Sequence, residues 1–504
     1  MSLKINLQTL NQITIIYVSI QLFLFLAAWI KPYIAIFLLI AFVYAVYTGY
    51  FKNKNFEINN LINDKKFIFI ILLFSLFWCY FAGIGGLWYQ SSDHDLRNAI
   101  FRDLINHNWP VYYQTADVAM VYYMGYWLPA AITAKIFLFI SQNFSFIAGN
   151  IFLLLYSTVG VFLVFSHILR AVKIKNFIKV IIVIFMFIFF SGMDIIGIFF
   201  PKHSAYMWHI EWWALIAQYS SFTTVLFWVF NQGISAWLLT LMFYNNKKSI
   251  ENFGIIALLC FFCSPLPFLG LSAFLIIYSI KLLVDKLKTK QIKQYFKCVF
   301  SIQNIISVFL ITPVIVLFFI SKYSAYSNGI ANTMVTDYNF LVMSLLTYFF
   351  ILEAGIYLIL ISKQYQYDLI YYIVFVSLLL CPFIRIGNEA DFCTRASIPA
   401  LMILFIMTVK FLFNNYNFRK YKIRYLVLCL CLVIGSVTPI IEFARGINDV
   451  IKNRSIFRTV DSIKTFEGKI IYSNSKSIEK YLNFITINPE DKIFFKYLAK
   501  KRKK

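Results

Sequence analysis

The stretch Val118-Ala119-Met120-Val121-Tyr122-Tyr123-Met124-Gly125-Tyr126-Trp127-Leu128-Pro129-Ala130-Ala131-Ile132-Thr133-Ala134-Lys135-Ile136-Phe137-Leu138-Phe139-Ile140 is long and apolar enough to cross a bilayer. Whether it crosses sets the side of every loop that follows. If it does, Arg170, Lys173, Lys175 and Lys179 fall outside the cell, together with the six lysines of residues 281–297. If it lies along the surface, both groups fall inside. Lys52, Lys54, Lys65, Lys66, Lys247, Lys248, Lys410, Arg419, Lys420, Lys422 and Arg424 then join them. Short loops rich in Lys and Arg stay on the cytoplasmic side, so the second topology is expected. The content agrees: Tyr122, Tyr123, Tyr126 and Trp127 cluster, Pro129 interrupts, and Lys135 comes late. Residues 118–140 are read as a juxtamembrane or re-entrant helix on the outer face.

Composition requires the membrane. Of the 504 residues 61% are hydrophobic and 13% charged, where a soluble domain carries about 45–50% and about 25%. So few charges cannot cover a soluble surface, and lipid must do part of the solvating. The formal charge of +24 sits in short loops between apolar runs, where it orients helices, and no nucleic-acid partner is expected. Apolar spans are expected near residues 12–30, 33–50, 67–86, 146–169, 178–200, 222–244, 299–320, 340–361, 369–384, 398–413 and 425–442. Residues 252–283 read as a hairpin of two short helices broken by Ser264-Pro265-Leu266-Pro267. The lost backbone donors there require burial in protein or a cavity.

The fold class is therefore an all-α polytopic membrane protein with about thirteen spans. Residues 1–442 form the transmembrane domain. Its outer loop, 87–145, carries two juxtamembrane helices. Residues 443–504 form a basic tail ending Lys500-Lys501-Arg502-Lys503-Lys504, placed outside the cell by the span count. Residues 12–30 are too long for the apolar core of a signal peptide and read as a retained anchor. Most of the eight cysteines lie in apolar runs; Cys260 and Cys263, spaced like a redox or zinc pair, read as small hydrophobes.

The chemistry-bearing residues gather in three loops. The first holds Ser92-Asp93-His94-Asp95-Leu96-Arg97-Asn98, opening a helix whose stripe of Leu96, Ile100, Phe101, Leu104 and Ile105 would lie on the membrane. Asp93 and Asp95 there suit two tasks: deprotonating an acceptor, or holding a divalent cation (magnesium or manganese) against a lipid pyrophosphate. The same residues make a capping box, Ser92 to Asp95, and an Asp93–Arg97 pair at i,i+4. The second loop holds Lys202, His203, His209, Glu211, Trp212 and Trp213. This is either a sugar-stacking site or an aromatic belt, and the two histidines lack the company of a zinc site. The third holds Glu389, Asp391 and Arg395. Arg395 suits a phosphate, or else Asp391 and Arg395 pair to cap the next helix. Asp194 and Glu353 lie within apolar runs, where a carboxylate is a functional candidate by default. Lys135 either snorkels to the surface or meets a phosphate.

The first loop resembles that of the GT-C superfamily of membrane glycosyltransferases, which includes aminoarabinose transferases and protein mannosyltransferases. The order is a span, an acidic motif, an amphipathic helix, Asn108-Trp109-Pro110-Val111, and a second aromatic helix from Tyr122 to Ala131. The resemblance implies a polyprenyl-phosphate-linked sugar as donor, and puts Asp93, with Asp95, at the catalytic position. Two extra spans precede the loop, and the Lys-Pro-Pro element of aminoarabinose-type enzymes is missing. The rest of the chain resembles uncharacterised bacterial membrane proteins through His209-Ile210-Glu211-Trp212-Trp213 and Asn388-Glu389-Ala390-Asp391-Phe392-Cys393-Thr394-Arg395. The expected function is sugar transfer to an extracytoplasmic lipid, glycan or protein at a bacterial cytoplasmic membrane. His94, Arg97, Lys202, His203, Glu211, Trp212, Asp391 and Arg395 would bind substrate. The alternatives are a transporter or flippase of lipid-linked saccharide, and a polysaccharide polymerase or ligase.

Overall fold

The computed structural model describes residues 5–502 except 53–59, 63–64, 114–116, 175, 198, 200–208, 215, 323–339, 385, 387–389, 415–417 and 454–483. The expected site residues Lys202, His203 and Glu389, and much of the tail, lie outside the described residues. In chain order the helices are α1 (Leu7–Trp29), α2 (Pro32–Tyr47), α3 (Lys65–Phe81), α4 (Asp93–Asn106), α5 (Leu128–Lys135), α6 (Gln142–Val172) and α7 (Phe177–Ile188). There follow α8 (Asp194–Gly197), α9 (Phe222–Asn245), α10 (Phe253–Cys263), α11 (Pro265–Lys288), α12 (Ile292–Val299), α13 (Ile302–Ile305), α14 (Thr312–Ile320) and α15 (Phe340–Phe350). The last are α16 (Ile356–Tyr365), α17 (Leu369–Leu380), α18 (Asp391–Ala396), α19 (Ile398–Asn414), α20 (Phe418–Gly435) and α21 (Val437–Asn453). Five short strands are β1 (Ile5–Asn6), β2 (Asn60–Ile62), β3 (Tyr112–Tyr113), β4 (Val118–Met120) and β5 (Ile485–Ile487).

Among the described residues, eight helical stretches are long and apolar enough to span a membrane, and five shorter apolar helices accompany them. Their starts follow local rules. Ser141, Asn176 and Ser221 cap α6, α7 and α9 by accepting from Phe144, Lys179 and Thr224 backbone N–H groups. Prolines 32, 265 and 313 sit in first turns, where their missing N–H costs nothing. The outward faces keep large apolar side chains exposed, among them Ile36, Phe37 and Ile40 on α2 and Ile423 and Val433 on α20. Only lipid satisfies such a continuous apolar surface.

The two ends of the bundle differ in content. At one end Asn11 meets Asn246 and Thr14 meets His167, which ties the start of α1 to the ends of α6 and α9. The lysine-bearing α11–α12 connection lies at this lysine end: Asn304, just beyond α12, accepts from the Gly254 N–H at the start of α10. At the opposite loop end, Ile30 just past α1 bridges Ala499, and the Lys500 N–H donates to Trp29 O at 2.9 Å.

The deciding stretch forms no spanning helix. It begins as β4, passes through a 3-10 turn at Gly125–Trp127, and becomes helical only in α5. Eight residues of helix rise about 12 Å, less than half of a hydrocarbon core of about 30 Å. Lys135 donates to Ile105 O at 2.9 Å and His107 O at 2.6 Å, tying α5 to the C-terminus of α4. A single juxtamembrane helix over 118–140 is thus corrected to a strand followed by a short helix. Val118, Ala119 and Met120 pair with Ile487, Thr486 and Ile485, so the last part of the tail supplies the third strand of a β3-β4-β5 sheet.

Three further expectations change. The apolar stripe of α4 faces protein, not lipid: Ile100, Phe101, Leu104 and Ile105 are fully buried, because α5 and α6 pack across them. Ser92 makes no side-chain cap, so the Ser92–Asp95 capping box does not form. The apolar run 178–200 ends as helix at Ile188, and Asp194 lies beyond it, buried in α8. The proline-broken hairpin is enclosed, with Ser264 donating to Gln232 O at 2.9 Å and Cys263 Sγ reaching Gln21 Oε1 at 3.1 Å. A Cβ on Gly125 would lie 2.5 Å from the Phe262 ring, so the tip of α10 fits only against glycine there.

Cysteines placed at Val118 and Ile487, opposite each other across β4 and β5, should form a disulfide on mild oxidation of membranes, detected by cleavage of the chain between them. A Val118→Cys/Ile485→Cys control, two residues out of register, should not. Failure of the first pair to close would show that the tail does not complete this sheet.

Candidate functional site

Two groups of charged side chains meet at the loop end, on either side of residues 89–93. The first is cationic. Asp93 opens α4 and accepts from Arg97 Nη2 at 3.0 Å, one helical turn on. Arg395, on α18, pairs with Asp391 in the same i,i+4 way. Both guanidiniums are largely withdrawn from solvent. Arg97 Nη1 and Arg395 Nε are buried with no hydrogen-bond partner among the described residues. Tyr122 and Tyr123 have ring centroids 3.8 Å apart. Burial pushes the Tyr122 hydroxyl well up, Tyr123 adds to this, and Arg97 and Arg395 both pull it down. One phenol therefore lies within electrostatic reach of both guanidiniums. Lys322, just past α14, is pulled down by burial and pulled back up by Asp391, which puts a third cation on this side.

Backbone and amide contacts fix the entry to α4. Asn98 donates to Gln90 Oε1 at 2.7 Å, and Gln90 donates to Gly83 O at 2.8 Å. Gly83 has φ of +72°, and a side chain there would strike Tyr89 O. His94, between Asp93 and Asp95, reaches α9. Its Nε2 lies 2.8 Å from Phe227 O, and because a carbonyl only accepts, Nε2 carries the proton. Val229, at φ −137° and ψ 37°, breaks α9 beside that carbonyl. His94 thereby joins α4 to α9. Asp95 and Asp93 are two residues apart in one helical turn, so their side chains diverge by about 200° and do not fit one ion. Among the described residues no group of three or more His, Cys, Asp or Glu side chains is arranged to hold a metal. The magnesium or manganese expectation gains no footing, and no step below runs through a metal.

The second group is built around buried carboxylates. Glu211 accepts from the Ser221 N–H at 2.9 Å, Thr224 Oγ1 at 2.6 Å and Gln218 Nε2 at 2.7 Å. It thereby serves the N-terminus of α9 rather than a sugar. Trp213 is buried and donates to Glu353 Oε1 at 2.8 Å, whereas Trp212 stays 43% exposed. Asp194, held by Ser191 at 3.0 Å and Thr438 at 2.7 Å, lies beside Glu353. Both residues flagged as intramembrane acids thus share one place.

Glu442 on α21 completes this group, and sequence reasoning missed it. It accepts from His209 Nδ1 at 3.0 Å, from Trp228 Nε1 at 3.0 Å, and from Arg445 Nη2. His209 and Glu442 are 233 residues apart in the chain, so no local spacing announces them. Arg445 lies over Trp228 at 4.7 Å and over Tyr89 at 5.9 Å, linking this group to the start of the first loop.

The class that the fold defines is an all-α polytopic membrane protein. Comparison with family models, with curated proteins and with solved structures finds no match. What the site can do is therefore argued from its chemistry: one side offers cationic N–H donors to an anion, and the other holds an imidazole by a carboxylate.

Glu211 gives a pH signature. Burial first, then Asp194 and Glu442, push its carboxyl up to about 7, against His209 and Thr224. A carboxyl raised above its unfolded value of about 4.3 contributes stability that is complete below that value and is lost as pH rises through the folded one. The thermal midpoint in nanodiscs should fall between about pH 5 and about pH 8, for a change of at most about 3 kcal/mol. Glu211→Gln, whose amide Gln218 can meet by flipping, should flatten that slope. An unchanged slope in this variant would remove Glu211 as its source.

Proposed function

We propose that this chain is a GT-C-like glycosyltransferase that moves a sugar from a polyprenyl phosphate to an acceptor at the loop end. In this reading thirteen apolar segments enter the membrane, with α10 and α11 as the proline-broken pair. The loop end then faces outward from a bacterial cytoplasmic membrane. The observation that carries the reading is the pair of buried guanidiniums, Arg97 and Arg395, each with an N–H left without a partner and both within electrostatic reach of Tyr122. A buried donor without an acceptor costs about 1–3 kcal/mol, and a phosphate with several acceptor oxygens would remove that cost at both. Lys322 adds a third positive charge for a leaving phosphate.

Asp93 takes a narrower role here than the first-loop resemblance implies, and Asp391 a narrower one than substrate binding. Each is bound to its arginine, so each holds a guanidinium in place. One observation favours the transporter reading as an alternative. Asn231 and Gln232, inside α9, keep buried polar atoms without partners among the described residues, as a polar path through the bundle would need.

In a deletion strain carrying variants, mass spectrometry of surface lipids, glycans and proteins should show a product that Arg395→Met lowers at least about tenfold, the loss of one charge-assisted bond of about 1.5–3 kcal/mol. Arg97→Met should do the same, with protein level and melting behaviour retained. A profile unchanged by both variants would end the reading. Build-up of a complete lipid-linked saccharide on the cytoplasmic leaflet would favour the transporter.

A further inference from the structure

The His209–Glu442 pair is not absorbed by phosphate binding. A carboxylate accepts and never donates, so the Nδ1 that faces Glu442 at 3.0 Å bears a ring proton, and in the neutral imidazole the lone pair lies on Nε2. Glu442 is itself immobilised: Trp228 and Arg445 hold its second oxygen, and it is buried. The imidazole is gripped by Trp212 edge-to-face at 4.5 Å and by Trp228 at 5.0 Å. Nε2 meets no partner among the described residues. A ring fixed in one tautomer, braced on two sides and presenting a lone pair, is the arrangement of a general base with its positioning carboxylate.

We propose that His209 is the base that activates the acceptor hydroxyl, that Glu442 is its positioning residue, and that the exposed Trp212 face receives the acceptor's sugar ring or a similarly flat apolar surface. This rests on the donor site proposed above. The acceptor O–H proton passes to His209 Nε2 as the acceptor oxygen bonds to the anomeric carbon. The bond from that carbon to the phosphate oxygen breaks, and its electron pair leaves on the phosphate, facing Arg97 and Arg395. The imidazolium then returns its proton to water. Tyr89, under Arg445, and Asp93, on Arg97, lie on one short segment, so the base and the phosphate donors flank the same stretch of chain.

The test uses the full chain in nanodiscs and in the deletion strain, with His209→Gln, Glu442→Gln and Arg395→Met side by side. Farnesyl phosphate serves as the donor-site probe, by protection against thermal unfolding. His209→Gln should lower product at least about a hundredfold, the scale of a lost general base, while keeping farnesyl phosphate protection. Arg395→Met should lose both. Glu442→Gln should keep partial activity but change the shape of the rate–pH profile, which a purely structural carboxylate would not do. Full product from His209→Gln while Arg395→Met fails would overturn the base and leave the donor reading intact. Loss with His209→Gln alone would keep the base and move the phosphate site elsewhere. Full product from both variants would end both ideas. Loss of protection together with product in His209→Gln would mark a folding defect and overturn the base assignment.

Discussion

The constraint on which this structure depends is that the chain between Gly83 and Ser141 stays at one end of the bundle. Two interactions enforce it. The β4–β5 pairing takes up the backbone groups of Val118–Met120, which a spanning helix would otherwise need for itself. Lys135 places its ammonium on the carbonyls that end α4, where the negative end of the helix dipole favours it. Had this segment crossed, α4 and α18 would sit at opposite ends, and Arg97 and Arg395 could not share Tyr122.

α9 turns that constraint into a site. Its start is held by Glu211, its Phe227 carbonyl by His94, and its Trp228 by Glu442. The break at Val229 gives up helical geometry, and side chains from α4 and α21 attach on either side of it. A continuous α9 would compete for the carbonyl that His94 uses. The irregularity is therefore tied to the joining of two loops that are far apart in sequence.

Much of this was legible in the chain, and the reasons it stopped are physical. Periodicity and hydropathy found the apolar helices because lipid asks only for length and low charge. Basic loops identified 118–140 as the non-crossing segment. They could not show that its first residues are strand, since the partner strand lies more than 350 residues later, at Ile485–Ile487. The stripe on α4 was correctly helical, but its periodicity looks the same whether lipid or protein covers it. The pairs Asp93–Arg97 and Asp391–Arg395 followed from i,i+4 geometry; their approach to one tyrosine did not, because it is set by tertiary packing. Glu211 was visible as a carboxylate among tryptophans, yet its three donors come from residues 218–224 and turn it into a helix cap. Glu442 ran unmarked at the end of an apolar stretch, and only the turn at Ser436 between α20 and α21 brings it beneath His209.

The charges at the loop end are divided by sign, and that division is itself an argument about chemistry. The arginine side holds two guanidiniums and Lys322, with only Asp93 and Asp391 opposing them. The α9 side holds Asp194, Glu211, Glu353 and Glu442, opposed by Arg445 and a histidine. Each guanidinium has an aspartate one helical turn away, which leaves Lys322 as the surplus on that side, and burial raises Glu211 toward neutrality on the other. A reaction that makes a negative leaving group and releases a proton puts new charge of opposite sign at two places. Cations at one and anions at the other stabilise both at once. Tyr122 and Tyr123 pack against each other on the arginine side, and Trp212 and Trp228 brace His209 on the other.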